Sequence, residues 1–278
     1  MPKLSIVIPT FNSEATIQGC LQSIAMQTFT DYEVIVQDGS PNEDTARKVE
    51  RFQGTGKNVA IRLFHERDRG PYDAMNKATS KARGDWLYYL GSDDELFDER
   101  VLATMMSGEK TAGCDVTYGN VQSVGGSVWG ESGTIYDGPF DLKKLLSRNI
   151  CHQAIIYRAE FARQVGEFNT KYALYADWDF NLRCWARTKF KYVDVVVAKY
   201  CVSGLSGSGK RDEAFFRDFV ANVLCYFNLS LFSPLVNSTG FCGLSDVIVM
   251  QREKGTFYSL GGRVMRRLLR LRAQPGIG

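Results

Sequence analysis

Two adjacent carboxylates, Asp93 and Asp94, are the residues of this chain whose position most directly indicates chemistry. They closely follow the apolar run Trp86–Leu90, which predicts a buried strand. Neighbouring negative charges at a strand end repel each other unless a cation or hydrogen-bond donors lie beside them. Carboxylate oxygens suit Mg²⁺ or Mn²⁺, which commonly bridges to phosphates. The alternative is a polar turn in which Asp94 or Asp98 caps the next helix.

A third carboxylate, Asp177, lies among aromatic residues in the segment 173–180, where the pattern predicts the first turn of a helix. A carboxylate there could act as a general base if a hydroxyl group came within its reach. Two alternatives stay open at this point. Asp177 could simply cap the helix, and Asp179 could be the base instead.

The first 115 residues alternate short apolar runs with amphipathic stretches. Strands are predicted at 4–8, 33–36, 60–64 and 86–90, and helices at 13–26, 43–52 and 72–82. This order is typical of an α/β protein with a Rossmann-like, mostly parallel sheet and helices on both faces. Ligands of such sheets bind beyond the carboxyl ends of the strands. In this chain those ends carry polar loops at 9–12, 38–40, 66–70 and 92–94.

After residue 115 the pattern becomes more varied. A small β-rich insertion is predicted as a hairpin of 116–121 with 126–130, turning at Gly125-Gly126. The elements predicted to follow are strand 153–157, helices 159–165 and 177–187, strand 192–197 and a long helix at 217–232.

Two loops at strand ends carry weaker signals. Asp38 ends the second strand before Gly39, so its carboxylate could accept a hydrogen bond from a nucleobase. The segment 68–77 is a turn leading into a helix, whose N-terminus could face a phosphate. An ordinary Asp-Gly turn and an ordinary capped helix are the alternatives.

Five sequence blocks occur in order, and together they are far more specific than any one of them. They are Ser5–Asn12, Gln37–Ser40, Asp68–Lys77, Ser92–Asp94 and Ala176–Arg183. In this combination the chain resembles glycosyltransferase family 2, of the GT-A fold, over about residues 3–205, and the third block resembles the bacterial O-antigen and exopolysaccharide branch. Two positions depart from the common pattern: Gly91 stands where many relatives carry Asp or Asn, and Ala176 where Glu is usual.

The resemblance implies an inverting transferase of the hexosyl or N-acetylhexosaminyl class that uses a nucleotide-sugar donor, with a UDP-sugar favoured. It implies that Asp94 holds Mg²⁺ or Mn²⁺ across the donor diphosphate, and that Asp177 rather than Asp179 is the base. His152 would contact the metal or a phosphate, a structural role being its alternative. The remaining residues implied to bind the nucleotide-sugar are Pro9, Phe11, Asn12, Glu14, Asp38, Gly70, Tyr72, Asn76, Ser92 and Asp93.

The length of 278 residues allows one large α/β domain with a C-terminal extension. We expect a catalytic domain over 1–210, with a nucleotide-binding half at 1–115 and an acceptor half at 116–210, and a helical extension over 211–278. The segment 204–210 fits the spacing of a phosphate-binding P-loop. However, Arg211 stands where that motif needs Ser or Thr, so we expect a loop that closes over the substrates.

The C-terminal tail is strongly basic. From residue 252 onward it has seven basic residues and one acidic residue, a net charge of +6 in a chain of net charge +3. On a helical wheel, Arg263, Arg266, Arg267 and Arg270 share one face and apolar residues occupy the other, which is typical of a helix on an anionic membrane. A helix packed on the core is the alternative. The expected acceptor is a saccharide or a polyprenyl-diphosphate-linked sugar, of which the second would explain such a tail. No nucleic-acid partner is expected.

The seven cysteines are scattered and form no metal-binding or disulfide pattern. We therefore expect a cytoplasmic protein, peripheral on the inner membrane if the tail binds lipid. Two other functions are alternatives to sugar transfer. A sugar nucleotidyltransferase would carry a Gly-rich basic loop after the first strand, which Pro9–Asn12 is not. A non-catalytic membrane scaffold would not need Asp38, Asp93, Asp94 and Asp177.

Overall fold

The computed structural model describes residues 1–55, 59–125, 131–202 and 210–228. The strands are β1 Leu4–Thr10, β2 Tyr32–Asp38, β3 Ile61–His65, β4 Trp86–Tyr89, β5 Glu95–Leu96, β6 Val116–Val124, β7 Ile135–Tyr136, β8 Ile155–Arg158 and β9 Phe190–Cys201. The helices are α1 Ile17–Ala25, α2 Asp44–Gln53, α3 Pro71–Lys81, α4 Val101–Met105, α5 Gly108–Thr111, α6 Leu142–Ser147, α7 Ala159–Val165, α8 Ala176–Trp185 and α9 Glu213–Tyr226. A 3-10 helix, His152–Ala154, directly precedes β8.

The strands form one sheet in the order β3-β2-β1-β4-β8-β6-β9-β5, with β7 paired to β6. Strands β1 to β4 are parallel, as the alternation of elements predicts. Strand β8 is antiparallel to both β4 and β6, and β9 is parallel to β6. The carboxyl ends of β1, β2, β4, β6 and β9 therefore meet the amino end of β8 at one edge of the sheet.

Two apolar clusters cover the opposite faces of the sheet. Val7 and Tyr89 belong to one cluster, with helices α3, α7 and α8. Ile6, Ile8 and Tyr88 belong to the other, with helices α1, α2 and α4. Because successive residues of a strand point to opposite faces, the uninterrupted apolar runs supply both clusters. The predicted α/β architecture with helices on both faces is confirmed.

The structure corrects two predicted elements near the sheet edge. Helix α1 begins at Ile17 rather than at residue 13, because Ser13 is held in the preceding loop by a hydrogen bond from its N–H to Thr45 Oγ1. Strand β8 begins at Ile155 rather than at 153, because the Ala154 N–H turns back to the Cys151 carbonyl in the 3-10 helix.

Two further predictions differ in the second half of the chain. Strand β6 pairs with β7, whereas the predicted partner 126–130 lies outside the described residues. Helix α9 begins at Glu213, earlier than predicted, because the Asp212 carboxylate caps it by accepting from the Phe215 N–H. It ends at Tyr226 instead of 232. The segment 203–209 and the basic tail also lie outside the described residues.

Helix α9 packs on the same core as the rest of the chain. The Phe215 ring lies 5.1 Å from the Trp178 ring of α8. The Asp212 carboxylate also accepts a hydrogen bond from the Leu174 N–H, in the loop that leads into α8. The start of α9 therefore holds the loop that carries Asp177 into its helix.

Candidate active site

A cavity of about 630 Å³ opens at the edge where the strand ends meet. Its walls are the loop after β1, the start of α3, the turn after β4, the 3-10 helix and the end of β9. Most of the residues predicted for the nucleotide-sugar and the metal line it: Pro9, Phe11, Asn12, Gly70, Tyr72, Ser92, Asp93, Asp94 and His152. Of the remaining predicted residues, Glu14, Asp38, Asn76 and Asp177 lie outside its wall.

A smaller cavity of about 190 Å³ adjoins the first and contains Asp177. The two cavities share His152, Gln153, Leu174 and Tyr200 in their walls. Aromatic side chains, including Tyr136, Tyr175 and Trp178, supply much of the remaining lining of the smaller cavity. Asp177 thus lines a compartment next to the larger cavity.

The loop after β1 is held in a shape that exposes an aromatic ring. Asn12 has a left-handed backbone with φ of 51°, which Asn tolerates better than most residues, and Phe11 is 63% exposed. The Asn12 N–H donates to Ser40 Oγ at 2.8 Å. The hydroxyls of Ser13 and Ser92 lie 2.8 Å apart. These bonds fix the loop to the ends of β2 and β4.

Asp38 is completely buried beneath this loop. Its Oδ1 accepts from the hydroxyls of Thr10, at 2.9 Å, and Ser40, at 2.5 Å. Its Oδ2 lies 2.8 Å from His65 Nδ1. Asp38 therefore joins the ends of β1, β2 and β3. The expectation that Asp38 accepts a hydrogen bond from a nucleobase stays a prediction.

Two other predicted residues, Asn76 and Glu14, lie outside the wall of the larger cavity. The Asn76 side chain donates to the Phe168 carbonyl and accepts from the Phe168 N–H, each at 2.9 Å, which ties α3 to the loop after α7. Glu14 is half-buried, and its Oε2 atom has no hydrogen-bond partner among the residues that the structure describes.

Asp94 is 2% exposed and is held from two directions. Gln153 Nε2 donates to its Oδ2 and the Cys201 N–H donates to its Oδ1, each at 2.8 Å. Burial, reinforced by the negative charge of Asp93, raises the pKa of Asp94 to about 6. Asp94 caps no helix, while Asp98 accepts from the Arg100 N–H at the start of α4. The helix-cap alternative is therefore wrong for both Asp94 and Asp98, because the N-cap residue of α4 is Arg100 and no side chain caps that helix.

Gly91 is the residue that makes room for this carboxylate. A Cβ atom at Gly91 would lie 2.4 Å from Asp94 Oδ2 and 3.0 Å from Asp93 Oδ1, closer than such atoms approach each other. With Gly at this position, both carboxylates can occupy one small volume.

Asp177 is 7% exposed at the first turn of α8 and accepts hydrogen bonds at both oxygens. Tyr72 Oη and the Trp178 N–H donate to Oδ1, each at 2.9 Å. Asn149 Nδ2 donates to Oδ2 at 2.9 Å, and His152 Nδ1 lies 3.3 Å from the same oxygen. Burial and the Asp177 charge raise the pKa of Tyr72 far above its ordinary value, so its hydroxyl remains a donor.

Asp179, the other candidate base, faces a different direction. It is 1% exposed and lines neither of the two cavities. Arg183 Nε donates to its Oδ2 at 2.9 Å, and Tyr226 Oη donates to its Oδ1 at 2.7 Å. These contacts make Asp179 a link between α8 and α9.

The sequence analysis missed residues that complete the site. Gln153 and Cys201 hold Asp94, and Asn149 holds Asp177. Asp68 also lines the larger cavity, where its Oδ1 accepts from the Gly70 N–H at 2.9 Å and burial raises its pKa. The only signal in the sequence was the place of Asp68 at the start of the third block.

The fold is that of the GT-A class of transferases, with the site at the carboxyl edge of the sheet. The chain belongs to glycosyltransferase family 2, because the model described as "Glycosyl transferase family 2" matches residues 5–166. It is 40% identical over 223 residues to a PGL/p-HBAD biosynthesis glycosyltransferase of Mycobacterium tuberculosis, covering 78% of this chain and 83% of that protein. A second relative is the GalNAc(5)-diNAcBac-PP-undecaprenol beta-1,3-glucosyltransferase of Campylobacter jejuni, 34% identical over 38% of this chain and 34% of its own length.

Two solved structures have the same fold. TarS 1-349 of S. aureus, in complex with UDP-GlcNAc, aligns with a TM-score of 0.63 at 21% identity over 80% of this chain and 66% of its own. The mannosyltransferase PcManGT of Pyrobaculum calidifontis, in complex with GDP-Man and Mn²⁺, aligns with a TM-score of 0.59 at 16% identity. That alignment covers 98% of this chain and 80% of the other. The prediction of a family 2 glycosyltransferase is confirmed.

Proposed function

We propose that this family 2 glycosyltransferase moves a hexosyl or N-acetylhexosaminyl group from a UDP-sugar to a hydroxyl of a saccharide acceptor, with inversion at the anomeric carbon. The observation that carries the proposal is the pair of adjoining cavities, with Asp177 in the wall of the smaller one. The larger cavity takes the donor and the smaller takes the acceptor. The UDP-sugar bound by TarS and the GDP-sugar bound by PcManGT support a nucleotide-sugar donor.

In this mechanism Asp177 removes the proton from the acceptor hydroxyl. The hydroxyl oxygen then forms a bond to the anomeric carbon while the bond from that carbon to the diphosphate breaks. In the inverting transfer that we propose, the hydroxyl attacks the face of the anomeric carbon opposite the leaving group. The hydrogen bonds from Tyr72 and Asn149 orient the Asp177 carboxylate before the transfer.

The residues around Asp94 fit a divalent cation that the donor helps to hold. Among the described residues, no three His, Cys, Asp or Glu side chains form a group that could bind a metal by itself. Mg²⁺ and Mn²⁺ commonly take one or two carboxylates and complete their coordination with phosphates and water. We infer that Asp94, with Asp93 and His152 nearby, would hold the cation against the diphosphate. When bound, the cation would neutralise the charge that develops on the departing nucleoside diphosphate.

Replacing Gly91 with alanine should test this arrangement, because the added methyl group would displace the Asp94 carboxylate. We expect Gly91→Ala to lose about tenfold or more in turnover, since small displacements in an active site can have effects of that size. Gly108→Ala is the matched control, because nothing lies within 4 Å of its Cβ position. Equal turnover in the two variants would contradict the steric role of Gly91.

A donor panel tests the proposed donor. Each nucleotide-sugar is added with Mn²⁺, and the melting temperature is measured. A ligand at a hundred times its dissociation constant stabilises the folded state by about 2.7 kcal/mol. The correct donor should therefore raise the melting temperature clearly more than the other nucleotide-sugars. Stabilisation by UDP-sugars is expected, and stabilisation by another nucleotide class alone would change the donor assignment.

We also propose a lipid-linked acceptor reached through the basic tail. The undecaprenol named for the Campylobacter relative supports such an acceptor. Within the described residues, no helix is both long and apolar enough to span a bilayer. We propose that the seven basic residues from 252 onward attach the protein to the membrane surface.

Replacing Arg263, Arg266, Arg267 and Arg270 with Gln should strongly weaken binding to anionic liposomes, since each charge near such a surface contributes about 1 kcal/mol. Turnover on a short water-soluble acceptor should hardly change, while turnover on a lipid-linked acceptor should fall. If the wild-type protein does not bind anionic liposomes at low salt, the proposal of membrane attachment is wrong.

A further inference from the structure

A chain of buried polar side chains leads to Asp177 from the interior of the protein. Tyr157 on β8 and Asn181 on α8 are both completely buried, whereas Asn149 lies partly exposed in the loop after α6. The Tyr157 hydroxyl donates to Asn181 Oδ1 at 2.6 Å, and Asn181 Nδ2 donates to Asn149 Oδ1 at 2.8 Å. Asn149 Nδ2 then donates to Asp177 Oδ2 at 2.9 Å.

The direction of these hydrogen bonds is fixed by a backbone group. Asn181 Nδ2 lies 3.2 Å from the Ile150 carbonyl oxygen, which can only accept. The amide nitrogen of Asn181 must therefore face Ile150 and Asn149, and its oxygen must face Tyr157. This places the Asn149 oxygen toward Asn181, so the Asn149 amide nitrogen must point at Asp177.

The backbone also favours this arrangement. Asp177 and Asn181 are four residues apart on α8, so they lie on the same face of the helix. Asn149 bridges the two side chains from outside the helix. The Asn149 carbonyl is itself an acceptor for the Tyr136 hydroxyl at 2.5 Å, which anchors the loop.

We propose that Asn149 is a positioning residue for Asp177, supported by Asn181 and Tyr157. Asn149 donates to one oxygen of the base and so fixes the rotation of the carboxylate toward the acceptor cavity. This proposal rests on the proposed function, because it takes Asp177 as the base.

Asn149→Asp replaces the donor group with an acceptor and adds a negative charge beside Asp177. Aspartate has the same shape and can still accept from Asn181, but it cannot donate to Asp177. Asn149→Ala removes the side chain without adding a charge. In both variants we expect kcat to fall about tenfold to a hundredfold. The KM for the donor and the affinity for the nucleoside diphosphate should change by less than about twofold.

Tyr157→Phe tests the start of the chain, and Tyr89→Phe is its matched control. Tyr89 is also buried, and its hydroxyl shares a hydrogen bond of 2.8 Å with Thr79 Oγ1. Its ring centre lies 6.0 Å from that of Tyr157. We expect a several-fold loss in kcat for Tyr157→Phe and no loss for Tyr89→Phe. Equal losses in the two would mean that Tyr157 acts through general stability, which would overturn its supporting role.

A double-mutant cycle decides whether Asn149 acts through the base. In an Asp177→Asn background, Asn149→Ala should have no further effect on residual kcat. A full additional loss there, or a kcat of the single variants within about twofold of wild type, would overturn the proposal. If Asp177→Asn alone keeps wild-type turnover, the base assignment of the proposed function fails, which is a different result from a neutral Asn149.

Discussion

Replacing Asp177 with asparagine is expected to reduce turnover at least about a hundredfold, the usual contribution of a general base, while donor affinity stays near wild type. Asparagine keeps the size of the side chain and can accept from Tyr72 and Trp178, but it cannot take the proton of the acceptor hydroxyl. Steady-state kinetics with saturating donor and calorimetric titration of the nucleoside diphosphate measure the two quantities separately.

Asp179→Asn is the matched control, two residues further along the same helix. It leaves Arg183, whose side chain is 14% exposed, without its carboxylate partner. Breaking a buried pair in this way costs about 3–5 kcal/mol, so the variant should melt earlier without a selective loss in kcat. If instead the donor affinity of Asp177→Asn collapsed and turnover per bound donor did not, Asp177 would be a donor ligand.

Replacing Asp94 with alanine should abolish divalent-dependent turnover and weaken binding of the nucleoside diphosphate. The fold should survive, because the variant removes a buried carboxylate that lies beside the like charge of Asp93. The loss of the acceptor for Gln153 and for the Cys201 N–H offsets part of that gain. Circular dichroism and the melting temperature check the fold, and titration with Mn²⁺ checks the dependence on the cation.

Asp98→Ala provides the comparison for Asp94, because Asp98 is exposed and its carboxylate accepts from the Arg100 N–H. It should keep wild-type turnover and its response to Mn²⁺. Full activity of Asp94→Ala, or wild-type activity that EDTA leaves unchanged, would remove Asp94 from the mechanism.

The parallel half of the fold could be predicted because its strands are uninterrupted apolar runs bounded by polar loops. Each of β1 to β4 lies within two or three residues of its predicted position. The insertion of β8 between β4 and β6 could not be predicted, since partner choice in a sheet depends on tertiary packing. The 3-10 helix before β8 was not predicted either, because three residues are too few to show a periodicity.

The carboxylates of the site were predictable, but the groups that hold them were not. Asp94 lies in the turn that follows β4 and Asp177 lies in the first turn of α8, and both features are local in the sequence. The partners of Asp94 are remote, at 59 residues for Gln153 and 107 for Cys201. A sequence motif also identifies residues without giving the direction of their side chains. Asn76 was predicted to bind the nucleotide-sugar, but its side chain forms hydrogen bonds with the backbone of Phe168.

The most direct test of the proposed activity is the product released from a nucleotide-sugar. The protein is incubated with a UDP-sugar, Mn²⁺ and a saccharide acceptor, with and without a lipid anchor, and the released species is identified. We predict acceptor-dependent release of the nucleoside diphosphate, together with a glycosylated acceptor of inverted anomeric configuration. Release of pyrophosphate would indicate a nucleotidyltransferase, and no release across the whole panel would indicate a non-catalytic scaffold. Either result would contradict sugar transfer by this site.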